Sequence, residues 1–330
     1  MNSLLTTHAG TRRRRLTAVV VTLIGLAILA VAAVIGYSWR GELPDPVATH
    51  WGVDGEPDGF APIGAALGVM LGGGALLVLG FGAITWLLGQ SAGSRRLGAA
   101  ATIWSALFLP LIVLGSLQLQ RGLAQASDAG GIGGVVTIAL LGSLAPAVVA
   151  ALLVPGDPRQ PTVAAVDRTA PRVSLGAGER ATWIGYADSK AALGVGLVAA
   201  AVVVAVVLVT GIWPVLALVI LLLAVVAAMS SFVVRVDQSG LTVRSALGWP
   251  RTRVPLDEVV RADVIDVSPL RDFGGWGWRV GTGGRVGIAL RTGPALLVER
   301  TGGRSIAITV DDATNAAGLL NALADRARRG

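Results

Sequence analysis

Long apolar runs without any charged residue dominate the first 154 residues of the chain. They extend over residues 16–39, 63–88, 97–117 and 132–154. Each run is long enough to cross roughly 30 Å of hydrocarbon at about 1.5 Å of helical rise per residue. We therefore predict four membrane-spanning helices within a membrane domain of residues 16–154.

A further uncharged run, from Ala191 to Phe232, is too long to be one helix across a bilayer. Such a helix would exceed the hydrocarbon thickness about twofold. Residues 210–214 supply turn formers and an interfacial tryptophan near the midpoint of the run. The pattern predicts that residues 191–232 form a fifth and a sixth span, which places both chain termini on the same side of the membrane.

Beyond residue 232 the apolar residues recur with a period of two. This alternation, with Gly, Pro and Asp turns between the segments, is typical of antiparallel strands that bury one face. The alternating apolar residues include Val234, Val236, Leu241, Val243, Val286, Ile288, Leu290, Ile306, Ile308 and Val310. Hairpin turns are predicted at 238–240 and 301–303, and Asp311 or Asp312 caps a closing helix. Residues 233–330 should thus form a small, mostly β domain with a C-terminal helix.

Three polar segments flank or connect these parts. Residues 1–15 are a basic N-terminus, residues 40–62 form a loop between the first two spans, and residues 155–190 form a linker. Arginines concentrate in residues 12–15, in residues 95–96 and in the linker, whereas the 40–62 loop carries five acids. Cytoplasmic segments of membrane proteins carry the excess of Lys and Arg. We expect both termini to be cytoplasmic and the 40–62 loop to be extracytoplasmic.

The composition agrees with a membrane protein and excludes several other classes. Hydrophobic residues make up 53% of the chain and charged residues 14%, against about 25% charged in soluble domains. The net charge of +7 sits mostly at the N-terminus and beside spans, so we do not expect nucleic-acid binding. The abundance of Ala, Gly, Val and Arg is typical of GC-rich bacterial genes, and we expect the bacterial inner membrane.

The 40–62 loop holds the densest cluster of turn formers, acids and aromatics in the membrane domain. Its candidate recognition residues are Pro44, Asp45, Pro46, His50, Trp51, Asp54, Gly55, Pro57, Asp58 and Gly59. Structure alone also accounts for them, because Gly, Pro and Asp make tight turns, His50 hydrogen-bonds locally and Trp51 lies in the interface. A lone His without Cys disfavours zinc, and no calcium-loop pattern is present. We expect no metal and no cofactor.

Other candidate chemistry is sparse. The chain has no cysteine and two histidines, and it lacks a Gly-x-Ser-x-Gly elbow, so we expect no enzymatic activity. Gly64, Gly68 and Gly72 recur every four residues and predict a helix-packing face in the second span. Trp276, Trp278 and Arg279 lie in an unusual Gly-rich stretch, which either contacts lipid or a partner at the cytoplasmic surface or folds over the β domain.

Two segments resemble known families. The β pattern closing on a helix, with VRVDQSGLTVRS as an opening hairpin and PLDEVV leading into the next strand, resembles the bacterial pleckstrin-homology-like domain, an open barrel closed by its helix. Leu43-Pro44, Thr49-His50-Trp51 and Gly55-Glu56-Pro57-Asp58-Gly59 resemble, in order and spacing, the N-terminal domain of unknown function of SdpI-type bacterial membrane proteins. This second resemblance covers roughly residues 20–70. The basic residue that usually follows the Asp-Gly step is absent here.

The resemblance to SdpI-type proteins implies an envelope protein with a sensing or protective role, since some members confer immunity to a secreted toxic peptide. We expect a non-enzymatic protein that functions in envelope sensing, peptide-toxin protection or scaffolding. Its partners would be the lipid bilayer and a peptide or another membrane protein. A transport component or permease subunit is the alternative, although the predicted spans lack the interior ionisable residues of most transport pathways.

Overall fold

The computed structural model describes residues 2–176, 178–210, 215–281 and 285–329. The chain divides into two compact units. The helical unit consists of His8–Asp157 and Ala205–Leu216. The β-rich unit consists of Met1–Thr7, Pro158–Val204 and Ala217–Gly330.

The helical unit is built from four long helices that follow the apolar runs of the sequence. They are α1 (Asn2–Ser38), α2 (Ile63–Leu88), α3 (Ala92–Gln120) and α4 (Gly133–Leu153). Pro110 lies within α3 and Pro146 within α4, and neither ends its helix. Neighbouring helices and local adjustments re-satisfy the backbone groups that a proline frees in an apolar setting.

Five helices of the described residues are long and apolar enough to cross a membrane, so the chain is a multi-pass membrane protein. These candidate spans are Thr11–Gly41, Ile63–Leu88, Ala92–Gln120, Gly133–Leu153 and Lys190–Val209. The predicted sixth span corresponds to a shorter apolar helix, α6 (Leu216–Ser230), of 15 residues. The predicted turn at 211–214 lies outside the described residues. The sixth span was predicted to extend to Phe232. This end is wrong, because Ser231 and Phe232 already belong to a strand.

Close helix packing involves different glycines from those predicted. A Cβ added at Gly64, Gly68 or Gly72 would meet no atom of the described residues within 4 Å. In contrast, a Cβ at Gly98 of α3 would overlap the Thr85 hydroxyl of α2 and lie 3.0 Å from the Thr85 Cβ. The spacing of four identifies a helix face, but it does not say which face meets a neighbouring helix. The predicted packing role of Gly64, Gly68 and Gly72 within the chain is therefore corrected.

Replacing Gly98 with alanine should push α2 and α3 apart and cost about 1–3 kcal/mol, as overpacking typically does. Thr85 has little room to move, because it is buried and its hydroxyl donates to Phe81 O at 2.8 Å. Thermal unfolding of the purified protein in detergent measures the loss. Gly68→Ala is the matched control, and it should leave stability unchanged or slightly raised. An equal loss in both variants would contradict the observed packing.

Two sheets form the β-rich unit. The first is antiparallel, in the order β3 (Trp183–Asp188), β4 (Ser231–Asp237), β5 (Gly240–Ser245) and β6 (Arg251–Val254). The second sheet comprises β7 (Val259–Val267), β8 (Gly277–Val280), β9 (Val286–Ala289), β10 (Gly293–Arg300) and β11 (Arg304–Thr309). Its order is β7-β10-β11-β9-β8, and among the described residues only β9 and β11 pair in parallel. A short helix, α7 (Pro269–Phe273), separates β7 from β8, and the described residues contain no closed barrel.

The core of this unit lies between the two sheets and the C-terminal helix α8 (Ala313–Arg329). Its fully buried side chains include Phe232, Val234, Leu241, Val243, Leu296, Ile308, Leu320 and Leu323. The two predicted hairpin turns are confirmed, because β4 pairs with β5 around residues 238–239 and β10 pairs with β11 around residues 301–303. Asp312 stands before the first turn of α8 and accepts from Asn315 Nδ2 at 3.0 Å.

The segment predicted as a linker contributes to this core. Its residues 183–188 form β3, and its Val166 is buried in the main cluster. Asp325 of α8 holds the segment, accepting from Val166 N at 3.1 Å and from Arg172 Nε at 2.8 Å. Burial opposes the charge on Asp325, but the hydrogen bonds from Arg172 and Val166 outweigh it and lower the Asp325 pKa below its usual value. Residues 158–190 are thus an integral part of the β-rich unit.

Candidate functional site

The loop between α1 and α2 folds into a β-hairpin of two short strands, β1 (Val47–Trp51) and β2 (Pro57–Ala61). A tight turn joins them, in which Gly52 N donates to Glu56 O at 2.8 Å. Gly55 has φ = +83°, a backbone conformation that strongly favours glycine. Opposite His50, a Cβ at Gly59 would lie 2.8 Å from the His50 Cβ. We call residues 39–62 the hairpin cap.

A buried glutamine at the end of α3 holds the hairpin. Gln120 has 0% exposure. Its Oε1 accepts from Ala48 N at 2.6 Å, and its Nε2 donates to Ala48 O at 3.0 Å and to Ser116 O at 3.0 Å. One side chain therefore satisfies both backbone groups of a buried residue in β1, as a neighbouring strand would.

Apolar contacts fix the base of the cap. Val47 is fully buried among Leu67 and Met70 of α2 and Leu117 of α3, and Leu43 packs against the same cluster. Trp51 adds a polar contact, donating from Nε1 to Gly130 O at 3.1 Å in the connection between α3 and α4. Sequence reasoning placed Trp51 in the interface but did not foresee this partner.

The entry to the cap is tied to the end of α3. Arg121 Nε and Nη2 both donate to one oxygen of Glu42, at 2.9 and 2.6 Å. The same guanidinium lies 4.8 Å from the centroid of the Trp39 ring, and Gly122 N donates to Glu42 O at 2.7 Å. Pro44, two residues after Glu42, is buried. Charge-assisted hydrogen bonds and a cation–π contact thus restrain the segment that leads into β1.

His50 and Asp58 face each other across the hairpin, with His50 Nδ1 2.5 Å from Asp58 Oδ1. Both side chains are more than half exposed, so the pair adds little to stability. The predicted local hydrogen bond of His50 is present. The pair leaves the imidazole beside a carboxylate at the surface of the cap.

The outer surface of the cap is acidic and carries isolated apolar side chains. Over residues 45–60 the exposed residues are Asp45, Pro46, Thr49, His50, Val53, Asp54, Glu56, Asp58 and Phe60. Val53 at the turn is 83% exposed. Asp54 Oδ1 also accepts from Glu56 N at 3.1 Å, so this carboxylate supports the turn that displays it. The surface can attract cations and cover apolar groups, but it lacks a nucleophile with a base in hydrogen-bonding reach.

The candidate residues come together only in part. Asp54, Gly55, Pro57, Asp58 and Gly59 form the turn and β2, whereas Asp45 and Pro46 precede β1 and share a cis peptide bond. No group of three or more His, Cys, Asp or Glu side chains that could hold a metal ion occurs among the described residues.

Arginines gather at the other end of the helical unit. Arg95 is almost fully buried, and its Nη2 donates to Asp157 Oδ1 at 2.9 Å. Its Nη1 donates to Gly89 O at 3.3 Å, and Arg13 Nη1 donates to Gly156 O at 2.9 Å. These contacts join the α2–α3 connection to the segment that leaves α4. The helical unit thus has an acidic end and a basic end.

The two tryptophans of the Gly-rich stretch differ in their contacts. Trp278 of β8 is only partly buried, but it packs against the core with its ring centroid 6.1 Å from that of Phe232. Trp276 is also partly buried, and its carbonyl accepts from Arg279 Nε at 3.1 Å. The Gly-rich stretch therefore folds onto the domain, at least through Trp278.

The residues that sequence reasoning missed lie far from the loop in the chain. Gln120, Arg121 and Gly130 lie in the near-neutral loop predicted between the spans 97–117 and 132–154, to which no role was assigned. A signal was present in LQLQRG, because a polar amide at the end of an apolar helix needs a buried partner or water.

A comparison with known protein families identifies the region of the cap. Residues 27–71 match the domain of unknown function DUF1648. The match covers the last third of α1, the whole hairpin and the first turns of α2. This domain is found in SdpI-type membrane proteins. No curated protein and no solved structure gives a significant match to the chain.

Proposed function

We propose that this protein is a non-enzymatic receptor-like component of the bacterial cell envelope whose hairpin cap binds cationic amphipathic peptides outside the inner membrane. The observation that carries the proposal is the structure of the cap itself. A restrained hairpin displays the carboxylates of Asp54, Glu56 and Asp58 beside the exposed side chains of Val53 and Phe60. Such binding would serve peptide-toxin sensing or protection. Scaffolding would require only that the cap hold a partner.

The charge distribution supports an outward orientation of the cap. The end of the helical unit with Arg12–Arg15, Arg95 and Arg96 would be cytoplasmic, as the excess of arginine requires. The cap, with its five acids, would then face outward. We infer that α6 completes a sixth span, since Ser189 N, immediately before α5 (Lys190–Thr210), donates to Ser230 O at the end of α6. The start of α5 and the end of α6 thus lie close together, and both termini would be cytoplasmic.

We also propose that residues 233–330, together with β3, form a pleckstrin-homology-like domain. Strands β3–β6 are four consecutive antiparallel strands, and β7, β10 and β11 form an antiparallel group of three before the closing helix α8. Seven strands and a helix in this order support the resemblance. On this interpretation, α7, β8 and β9 are an insertion between β7 and β10.

Preorganisation favours binding to the cap. Ordering a loop on binding reduces affinity, whereas a hairpin already held by Gln120, Trp51 and Arg121 has lost that freedom on folding. Exposed carboxylates attract a cationic peptide at long range, and isolated apolar side chains give its apolar face a contact. A cationic amphipathic helix offers both features.

Titration of the protein in nanodiscs of zwitterionic lipid tests the proposal. The probe is a fluorescently labelled amphipathic 18-residue peptide of lysine and leucine, with empty nanodiscs as the background. The triple variant Asp54→Asn, Glu56→Gln, Asp58→Asn should bind about tenfold more weakly, because three exposed charge pairs are lost. The amide replacements retain acceptor oxygens, so the turn should persist.

The matched control removes three exposed acids from the β-rich unit, through Asp188→Asn, Asp266→Asn and Glu299→Gln. It changes the net charge of the protein by the same amount and should bind as the wild type does. Equal weakening in both variants would mean that net charge alone attracts the peptide. Saturable substrate flux in proteoliposomes, without peptide binding, would instead favour a transport component.

A further inference from the structure

The first sheet of the β-rich unit continues directly from the helices α5 (Lys190–Thr210) and α6. Only Ser189 separates β3 from α5, and β4 begins at Ser231 immediately after α6 ends. Asp188 pairs with Ser231 at the end of the β3–β4 ladder. Because α5 is long and apolar enough to span a membrane, this end of the sheet lies at the membrane surface.

The turn between β5 and β6 is at the same end of the sheet. Ser245, the last residue of β5, pairs with Phe232 near the start of β4. Ala246 N then donates to Ser231 O at 2.9 Å, which places the turn beside the last residues of α6. The turn is closed by a hydrogen bond from Ser245 N to Pro250 O at 2.9 Å.

This turn displays two large apolar side chains. Leu247 is 64% exposed and Trp249 is 73% exposed. An exposed leucine and tryptophan side by side on a rigid turn are unfavourable in water, whereas tryptophan is enriched where membrane and water meet. The sequence offers no other reason for SALGWPR at this position, since neither side chain belongs to the core.

Two arginines flank the turn, and the repulsion between them destabilises the sheet unless a negatively charged partner neutralises them. Arg244 of β5 and Arg251 of β6 are directly opposite each other in the ladder, and both are exposed. Like charges directly opposite in an antiparallel pair are destabilising. Neither arginine forms a salt bridge with an acid in the described part of the chain. Anionic lipid headgroups would relieve this repulsion.

We propose that the β5–β6 turn, residues 244–251, is a membrane-surface anchor of the β-rich unit. Leu247 and Trp249 enter the headgroup region, and Arg244 and Arg251 bind anionic headgroups. The bilayer is the occupant because the turn lies beside the point where α6 leaves the membrane. The inference rests on α5 spanning a membrane and is independent of peptide binding by the cap.

Lipid quenching of a site-specific fluorophore tests the anchor. Because the chain has no cysteine, Leu247→Cys provides one site for an environment-sensitive dye in the full-length protein. Nanodiscs that contain lipids spin-labelled near the headgroup should quench this dye at least twofold. Gln238→Cys is the matched control, because its exposed site lies in the β4–β5 turn at the opposite end of the same strands. The dye at that site should be unaffected.

A second comparison tests the arginines. Replacing a third of the zwitterionic lipid with phosphatidylglycerol should increase quenching at position 247. Adding the substitutions Arg244→Gln and Arg251→Gln to the Leu247→Cys protein should abolish this increase. Equal quenching at positions 238 and 247, or none at 247, would overturn the proposal. A dye at 247 that is shielded from water but insensitive to spin-labelled lipid would also overturn it, in favour of a protein partner.

Discussion

Replacing Gln120 with leucine should detach the hairpin cap from the helical unit and destabilise it by about 3 kcal/mol. The leucine fills the space of the amide, but Ala48 N and Ala48 O both lose their buried partner. Each unsatisfied buried group costs about 1–3 kcal/mol. Amide hydrogen exchange over residues 47–61 in nanodiscs measures the effect, and we expect it to accelerate at least tenfold.

Gln118→Leu is the matched control for this variant. Gln118 lies two residues earlier in the same helix, is exposed, and accepts from Arg121 Nη1 at 2.9 Å. Exchange over residues 47–61 should then be nearly that of the wild type. If both variants released the hairpin equally, or neither did, the restraint would have to come from apolar contacts such as those of Val47.

The second large effect is expected at Glu258 in the β-rich unit. This carboxylate is 2% exposed and lies 2.5 Å from Arg300 Nη2 and 3.3 Å from Arg304 Nη2. Its other oxygen accepts from Gln160 N at 3.1 Å. Glu258→Ala removes the charge that both partly buried arginines share, and breaking such a buried pair costs about 3–5 kcal/mol. The melting temperature of this unit should fall by about 10 °C.

Asp257→Ala is the neighbouring control. Asp257 pairs with Arg159, whose side chain is 67% exposed while that of Asp257 is 40% exposed, so solvent screening leaves the pair little weight. Thermal unfolding of the full-length protein in detergent, followed by near-ultraviolet circular dichroism, compares the two. A small loss for Glu258→Ala would mean that water enters and solvates the two arginines.

Hydrophobic pattern predicted the elements whose stability is local or strongly apolar. The helices α2 and α4 begin and end within a residue or two of the predicted spans, because the bilayer requires an uninterrupted apolar run. The alternation around Val234 and Val243 likewise identified β4 and β5. The hairpin cap was read as a loop of turns, since its Gly, Pro and Asp residues obscure the short strands β1 and β2.

The remaining features depend on contacts between distant residues. Gln120 is a partner of Ala48 only because α3 ends beneath the hairpin, which a single sequence does not reveal. Residues 155–190 were predicted to be a linker because residues 155–182 are mostly polar, so β3 was not foreseen. Val166 and Trp183 contact apolar partners that lie far away in the sequence of the β-rich unit. The spacing of Gly64, Gly68 and Gly72 predicted a close helix contact in the second span. The chain instead makes such a contact at Gly98.

The most direct test of the account is cysteine labelling at the tip of the cap in intact cells. Val53→Cys is the reporter, and Val163→Cys, which is 96% exposed in the β-rich unit, is the control. A membrane-impermeant maleimide should label position 53 from outside, and the lysine–leucine peptide should slow that labelling at least fivefold. Position 163 should react only after lysis and be insensitive to the peptide. Labelling of position 53 only after lysis, or at an unchanged rate with peptide, would contradict the account.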